Sequence, residues 1–219
     1  MTISAATVKE LRDATGAGMM DCKRALEEKN GNFEEAIKYL REKGMAKAAK
    51  RASKVAAEGA VASYIHMGGK IGVLVEVNSE TDFVARGDAF QAFVRDICLQ
   101  ICSASPTYIS PDEIPAAALA AEKEVYVNQA LATGKPEAMC EKIAEGKVKK
   151  WYSEVCLLEQ PFVKDDKKSI KDLIADLTSK CGEKIVIRRF VRFQLGEGIE
   201  KEKVDLAAEV AAELAKVEK

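Results

Sequence analysis

The hydrophobic pattern of this chain changes period near residue 58, and that change limits the fold more than any other feature. Before it, apolar residues recur every three or four positions. Phe33, Ala36, Ile37 and Leu40 form one such stripe, the signature of a helix with one buried face. After it, Ile71, Val73, Val75 and Val77 alternate with Gly72, Leu74 and Glu76, the period of a half-buried strand. A chain of 219 residues that keeps the two periods in separate stretches is expected to be an α+β protein. The expected parts are an N-terminal three-helix head, a helical linker, and an α+β core with a small, mostly antiparallel sheet and several helices.

Residues 4 to 44 read as three short helices. The first starts at Ser4 or at Thr7, where Thr7 and Glu10 match a capping box. Thr15-Gly16-Ala17-Gly18 breaks it. The second covers about Met20 to Lys29 and stops at Asn30-Gly31. Asn32 caps the third, Glu35 completes its box, and Gly44 is expected to end it. Three helices of this length bury only a small core, which suits docking better than catalysis. Residues 41 to 54 then carry Arg41, Lys43, Lys47, Lys50, Arg51 and Lys54 against Glu42 alone, and read as an exposed basic linker. The expected division is a head over 1–45, a basic helical linker over 46–57, a core over 58–199 and a C-terminal amphipathic helix over 200–219.

Within the core, Ala60 to Met67 and Lys70 to Val77 read as a hairpin joined by the two-residue turn Gly68-Gly69. The polar stretch Asn78 to Phe83 precedes a long helix with Phe90, Phe93, Val94, Ile97, Cys98 and Ile101 on one side. A connector rich in proline fills 103–116. Two helices are expected over 116–132 and 136–150, and a short edge strand over Leu157 to Val163. Ser169 caps a helix to Lys180 that Gly182 ends. Glu183 to Leu195 reads as a strand, with Ile185, Ile187, Val191, Phe193 and Leu195 on one face interrupted by Arg189. Leu206, Val210, Leu214 and Val217 give the last helix, 200–217, an apolar stripe.

Several chemistries lack their residues. Net charge is -1, from 34 basic and 35 acidic side chains, so no overall basic excess exists to displace counterions from a nucleic acid. No apolar run reaches the roughly 20 residues of a membrane span, and Met1 to Asp13 has no secretion-signal core. The expected home is cytoplasm or an organelle matrix. The six cysteines form no Cys-x-x-Cys pair and read as reduced thiols, with Cys98 and Cys102 as core residues. His66 is the one histidine, so any Ser-His or Cys-His nucleophile must use it. No P-loop occurs. The expectation is a protein that grips another protein, with no catalytic residues, no metal site and no cofactor.

Two segments are poorly explained by packing. In Thr15-Gly16-Ala17-Gly18-Met19-Met20-Asp21-Cys22-Lys23, a tight loop presents two adjacent methionines. Methionine is flexible and polarisable, which suits an adaptable contact. The competing reading puts Met19 and Met20 in the head's core, and the pattern alone weighs the two evenly. In Thr81-Asp82-Phe83-Val84-Ala85-Arg86, a strand gives way to a helix. The packing reading, modestly favoured on physics alone, makes Asp82 a helix cap and Phe83 a core cover. The functional reading makes them a wedge for a partner's cleft.

These segments, TGAGMMDCKRAL over Thr15 to Leu26 and TDFVAR over Thr81 to Arg86, closely resemble the two signature stretches of the elongation factor Ts family. The likeness extends over 1–100 and 155–215, while 105–155 carries nothing diagnostic. The resemblance implies a guanine-nucleotide exchange factor for the translational GTPase elongation factor Tu. It implies a ubiquitin-associated-like head whose Met19 and Met20 touch the GTPase domain. It implies that Thr81, Asp82, Phe83 and Val84 dislodge the partner's Mg²⁺, with Phe83 wedged between partner helices. The later strand region would meet another domain of the partner. Longer family members carry a core of two related halves, and this chain has room for about one. It resembles the short forms, some of which are homodimers, and a homodimer stays open for this chain. Three rivals make different demands. A helix- or ubiquitin-like-binding adaptor needs only residues 1–45. A cysteine or histidine enzyme needs His66 or a thiol. A ribosome or RNA binder needs 41–54.

Overall fold

The computed structural model describes residues 3–51, 53–134 and 136–199; the C-terminal helix expected over 200–217 lies outside them. The head is built from α1 (Ala5–Thr15), α2 (Met19–Glu28) and α3 (Phe33–Lys50). Ser4, and not Thr7, starts α1, because the Ser4 hydroxyl oxygen accepts the Thr7 N–H at 3.1 Å. Asn32 Oδ1 likewise accepts the Glu35 N–H at 3.1 Å, at the start of α3. Val8, Leu11, Cys22, Ala25, Leu26, Ala36 and Leu40 close the small core between the three helices.

Contrary to expectation, α3 does not stop at Gly44 and runs on to Lys50. The boundary expected after residue 45 therefore falls inside one helix. Gly44 serves a crossing instead of an end. A Cβ at that position would sit 3.6 Å from Ser179 Cβ and 3.8 Å from the Ala175 carbonyl oxygen, ordinary contact distances, so α3 lies directly against a second helix here.

That second helix belongs to the core. In chain order the core contains β1 (Glu58–His66), β2 (Ile71–Ser79), α4 (Asp82–Ala85), α5 (Asp88–Ala104), α6 (Ala116–Leu131), α7 (Glu137–Val155), β3 (Pro161–Phe162), β4 (Asp165–Ser169), α8 (Ile170–Cys181) and β5 (Val186–Gln194). β1, β2 and β5 form an antiparallel sheet in the order β1-β2-β5. One face of the sheet carries α5, and α8 packs beside α5. Val73, Val75, Val77, Phe90, Ile97, Ile101, Ile170 and Ile187 meet there as the main core. α6 and α7 form a helical hairpin beside it.

Three details depart from the pattern read off the sequence. The hairpin connection is four residues, Met67 to Lys70, and Met67 adopts the left-handed conformation (φ 50°) together with both glycines. The His66 carbonyl accepts from Gly69 and Lys70 and closes the longer loop. The stretch Leu157 to Val163 is a 3₁₀ turn followed by β3, which pairs with β4, a polar strand that no alternation announced.

The third departure is in β5. Glu76 pairs with Arg189 but Val77 pairs with Ile187, so Arg188 is an extra residue on β5. Such a bulge shifts the alternation by one and swaps every later side chain to the other face. Ile185 and Ile187 are buried, but Phe193 and Leu195 are 69% and 78% exposed. Phe190 takes the inward position. The five apolar residues expected on one face are thus split between two. The bulge is held by Glu76, whose carboxylate accepts from Arg188 Nη1 at 2.8 Å and Arg189 Nε at 2.6 Å. The two guanidiniums hold that carboxyl well below the usual range, at about 2.

Candidate functional site

At the end of β2 the chain turns through Thr81 into α4, a single helical turn. Thr81, and not Asp82, is the cap: its Oγ1 accepts the Val84 N–H at 3.4 Å. Thr81 is itself anchored, since its N–H and hydroxyl donate to the two carboxylate oxygens of Glu183 at 3.0 and 2.7 Å. One residue earlier, Glu80 accepts from Arg51 Nη1 and from the Lys184 N–H, both at 2.7 Å. The backbone bond from Lys184, followed by the Arg51 guanidinium, lowers the Glu80 pKa. Ser79 Oγ donates to the Thr81 carbonyl at 2.9 Å, and Gln91 Nε2 donates to the Ala85 carbonyl at 2.7 Å. Both ends of the turn are therefore tied to separate elements.

Successive residues on a helical turn point about 100° apart, and the turn sorts its four residues accordingly. Ala85 is buried and Val84 packs on the main core. Asp82 and Phe83 point the other way. Phe83 is 83% exposed, the most exposed of the large hydrophobic side chains among the described residues. The packing reading, with Asp82 as cap and Phe83 as core cover, is thus overturned. Thr81 already fills the cap position, and Val84 and Ala85 already fill the core. Asp82 pairs with Arg86 at 2.8 Å on the exposed surface. Beside Phe83 lies an open groove of about 620 Å³, floored by Val84, Phe90 and Leu177 and edged by Lys180 and Cys181.

On the head, the loop Gly16 to Gly18 presents the start of α2. Met19 is 43% and Met20 66% exposed, so both stand outside a core that Leu11, Cys22, Ala25 and Leu26 already fill. Gly16 is confined twice over. Its φ of +65° is left-handed, and a Cβ there would lie 2.1 Å from Lys180 Cε. The Lys180 side chain crosses that space and then edges the groove beside Phe83. Gly16, at the edge of the methionine segment, and the phenylalanine turn thus both border Lys180 in the last turn of α8.

Lys50 closes α3, Arg51 bonds Glu80, and the Lys54 carbonyl accepts from Lys184 Nζ at 2.9 Å. Arg51 and Lys54, at the end of the basic stretch, are thus fastened to Glu80 and Lys184 at the base of the Phe83 turn. Sequence reasoning missed Glu80, Glu183, Arg51 and Lys184 as supports, because nothing in one-dimensional spacing links Arg51 to Glu80 or Thr81 to Glu183. The residues that rival chemistries require are placed otherwise. His66 shares its Nδ1 with the Tyr64 hydroxyl at 2.9 Å. Cys22, Cys98, Cys102, Cys140 and Cys156 are buried. Burial raises the thiol pKa at Cys22, Cys98 and Cys156, the last to about 11, the opposite of an activated nucleophile. No helix among the described residues is long and apolar enough to cross a membrane.

A family model described as Elongation factor TS matches residues 2–197, including the 105–155 stretch that carried no signature. Among curated relatives, elongation factor Ts of Geobacter sulfurreducens is 58% identical over 212 residues, covering 97% of this chain and 98% of its own. That of Desulforamulus reducens is 55% identical over 212 residues, with the same coverage. That of Anaeromyxobacter sp. strain K is 59% identical over 209 residues, 95% of each chain.

Proposed function

We propose, from the premise that this chain belongs to the elongation factor Ts family, that it is a guanine-nucleotide exchange factor for elongation factor Tu. The observation that carries the reading is Phe83. A large apolar ring stands in water on a turn whose backbone is tied at both ends. Exposing it costs the isolated protein about 1.5 to 3 kcal/mol of forgone burial. A partner's cleft returns that energy, and a rigid mount spends none of it on ordering.

The mechanism needs no covalent step. GDP sits in the partner under its phosphate contacts and a Mg²⁺ ion. Phe83 would enter between partner helices, Asp82 would help hold the shifted arrangement, and the Thr81 to Val84 segment would dislodge the partner's Mg²⁺. Met19 and Met20 grip the same GTPase domain from the head over 1–45. The core over 58–199 carries the wedge. The exchanger accelerates release only because it binds the distorted, nucleotide-free partner better than the loaded one. By linkage, nucleotide weakens the exchanger's binding by the same factor. No nucleotide pocket and no cofactor are required of this chain, and it works in the cytoplasm or an organelle matrix.

The outer face of the sheet, where Ile65, Leu74, Val191 and Phe193 stand exposed in neighbouring register, is assigned to a second contact, with another domain of elongation factor Tu or with a second copy of this chain. Sedimentation of the chain alone and with the partner separates the two. The test of the main reading is the release of fluorescent GDP from elongation factor Tu. The chain is expected to speed release steeply with its concentration. Unchanged release would overturn the assignment and bring forward the adaptor built on residues 1–45.

A further inference from the structure

Resting on the exchange reading, we propose that Arg41 and Asp172 are positioning residues: they lock the head onto α8, so that the Met19–Met20 grip and the Phe83 wedge meet the GTPase as one rigid body. Neither residue belongs to a signature segment, and neither touches Phe83 or the methionines.

The contact is a built one. Arg41, on α3, donates through Nε and Nη2 to the two carboxylate oxygens of Asp172, on α8. Such a forked pair fixes angle as well as distance. Asp172 is not free to swing. It also closes the capping box of α8, with Oδ2 accepting from the Ser169 N–H and hydroxyl, both at 2.9 Å. Its side chain is only 12% exposed, while that of Arg41 is 48% exposed, so the carboxylate is the fixed half of the pair and the guanidinium reaches it from the surface. One turn along α8, Lys168 pairs with Asp176 at 2.8 Å and lines the same cleft.

Two further contacts join α8 to the head. Gly44 brings α3 to within a Cβ contact of Ser179, and Lys180 lies over Gly16. The lock therefore runs from Arg41–Asp172, through Gly44–Ser179, to Gly16–Lys180, and ends between the two partner-facing segments. Among the described residues the head core and the main core are separate clusters that share no buried apolar residue. A polar lock thus decides whether the two grips are presented together. Two contacts on one rigid body bind with a large effective concentration, and a loose tether forfeits it without altering either contact.

The test uses the full chain and a saturation curve of GDP release from elongation factor Tu. Arg41→Glu is expected to raise the half-saturating concentration about tenfold, with the release rate at saturation unchanged because the wedge is intact. Rescue comes from a covalent lock. A Cβ at residue 44 would lie 3.6 Å from Ser179 Cβ, within the spacing of a disulfide. In a Cys181→Ser background, Gly44→Cys with Ser179→Cys should cross-link on oxidation and return Arg41→Glu to the parent curve; reduction should undo the rescue. An unmoved half-saturating concentration in Arg41→Glu, or a defect that persists in the oxidised double variant, would overturn the proposal. The lock is also read without the partner, since Arg41→Glu should slow formation of the 44–179 disulfide. If the parent chain fails to speed release at all, the exchange reading falls, and the disulfide rate alone then decides the lock.

Discussion

The two partner-facing segments are mounted in opposite ways. The Asp82–Phe83 turn grows out of the main core. Its own Val84 packs on that core and Ala85 is part of it, while Thr81 and Glu80 are bonded to the loop between α8 and β5, and Ala85 to α5. Met19 and Met20 start a helix in a head with a small core, joined to the body by α3 and a polar contact on α8. The wedge has no freedom of its own, while the grip is rigid only as far as its dock is. A rigid projection can transmit force into a partner's phosphate site, and an adaptable, flexible-sided surface can hold many geometries of the same domain. Losing the first should cost rate, and losing the second should cost affinity.

The strongest way to break the comparison is to remove the head's core and leave the body standing. Leu26 is fully buried in it, and Leu26→Ala should cost about 2 to 5 kcal/mol, more than a core of that size can spare. Hydrogen exchange should then show α1 and α2 amides unprotected while α5 stays protected. Ile97→Ala, in the main core, should instead lower the thermal midpoint of the body. If Leu26→Ala melts both together, the two clusters are one cooperative unit and the contrast fails.

A smaller effect is expected from loosening the wedge's mount. Glu80→Gln replaces the charged acceptor for Arg51 and Lys184 and should slow release severalfold at saturation, with little change in half-saturation. A shift in half-saturation alone would mean that the mount does not position the ring.

Acid sharpens the contrast further. Burial pushes the Asp172 carboxyl up, but the bonds from Arg41 and Ser169 outweigh it and leave the pKa lowered. A depressed carboxylate stabilises above its unfolded value, about 3.9 for Asp, and that contribution is lost as pH falls through the folded value. Head docking should therefore be constant from pH 8 to about 5 and give way below about 4, as read by exchange of α3 amides. Loosening near neutral pH would contradict this.

The smallest effect concerns the sheet. Glu76→Gln should lower the thermal midpoint at neutral pH, where Arg188 and Arg189 hold the parent carboxylate ionised. The difference between variant and parent should vanish as pH falls towards about 2.

Helix starts and ends written in local chemistry were legible in the sequence: Ser4, Asn32 and Ser169 sit where capping residues belong, and Gly182 ends α8 at φ 72°. The β2 alternation was legible for the same reason, each side chain reporting its own face. What failed was set by partners distant in sequence. Gly44 looks like a stop until α8 lies against it. The β5 face reads as continuous until Glu76 draws in both Arg188 and Arg189 and inserts a bulge. At the site, the two signature segments were visible, but the exposure of Phe83 was not. It follows from Thr81 taking the cap and Val84 and Ala85 taking the core. Glu80, Glu183, Arg41 and Asp172 carried no local signal.

The most direct measurement is a pair of saturation curves for fluorescent GDP release from elongation factor Tu, one with Phe83→Ala and one with Met19→Ala/Met20→Ala. Phe83→Ala should bind yet lower the release rate at saturation by about thirtyfold, the loss expected of a central anchor worth about 2 kcal/mol. The methionine variant should reach the parent's rate at higher concentration. If Phe83→Ala matches the parent at saturation, the wedge account is wrong.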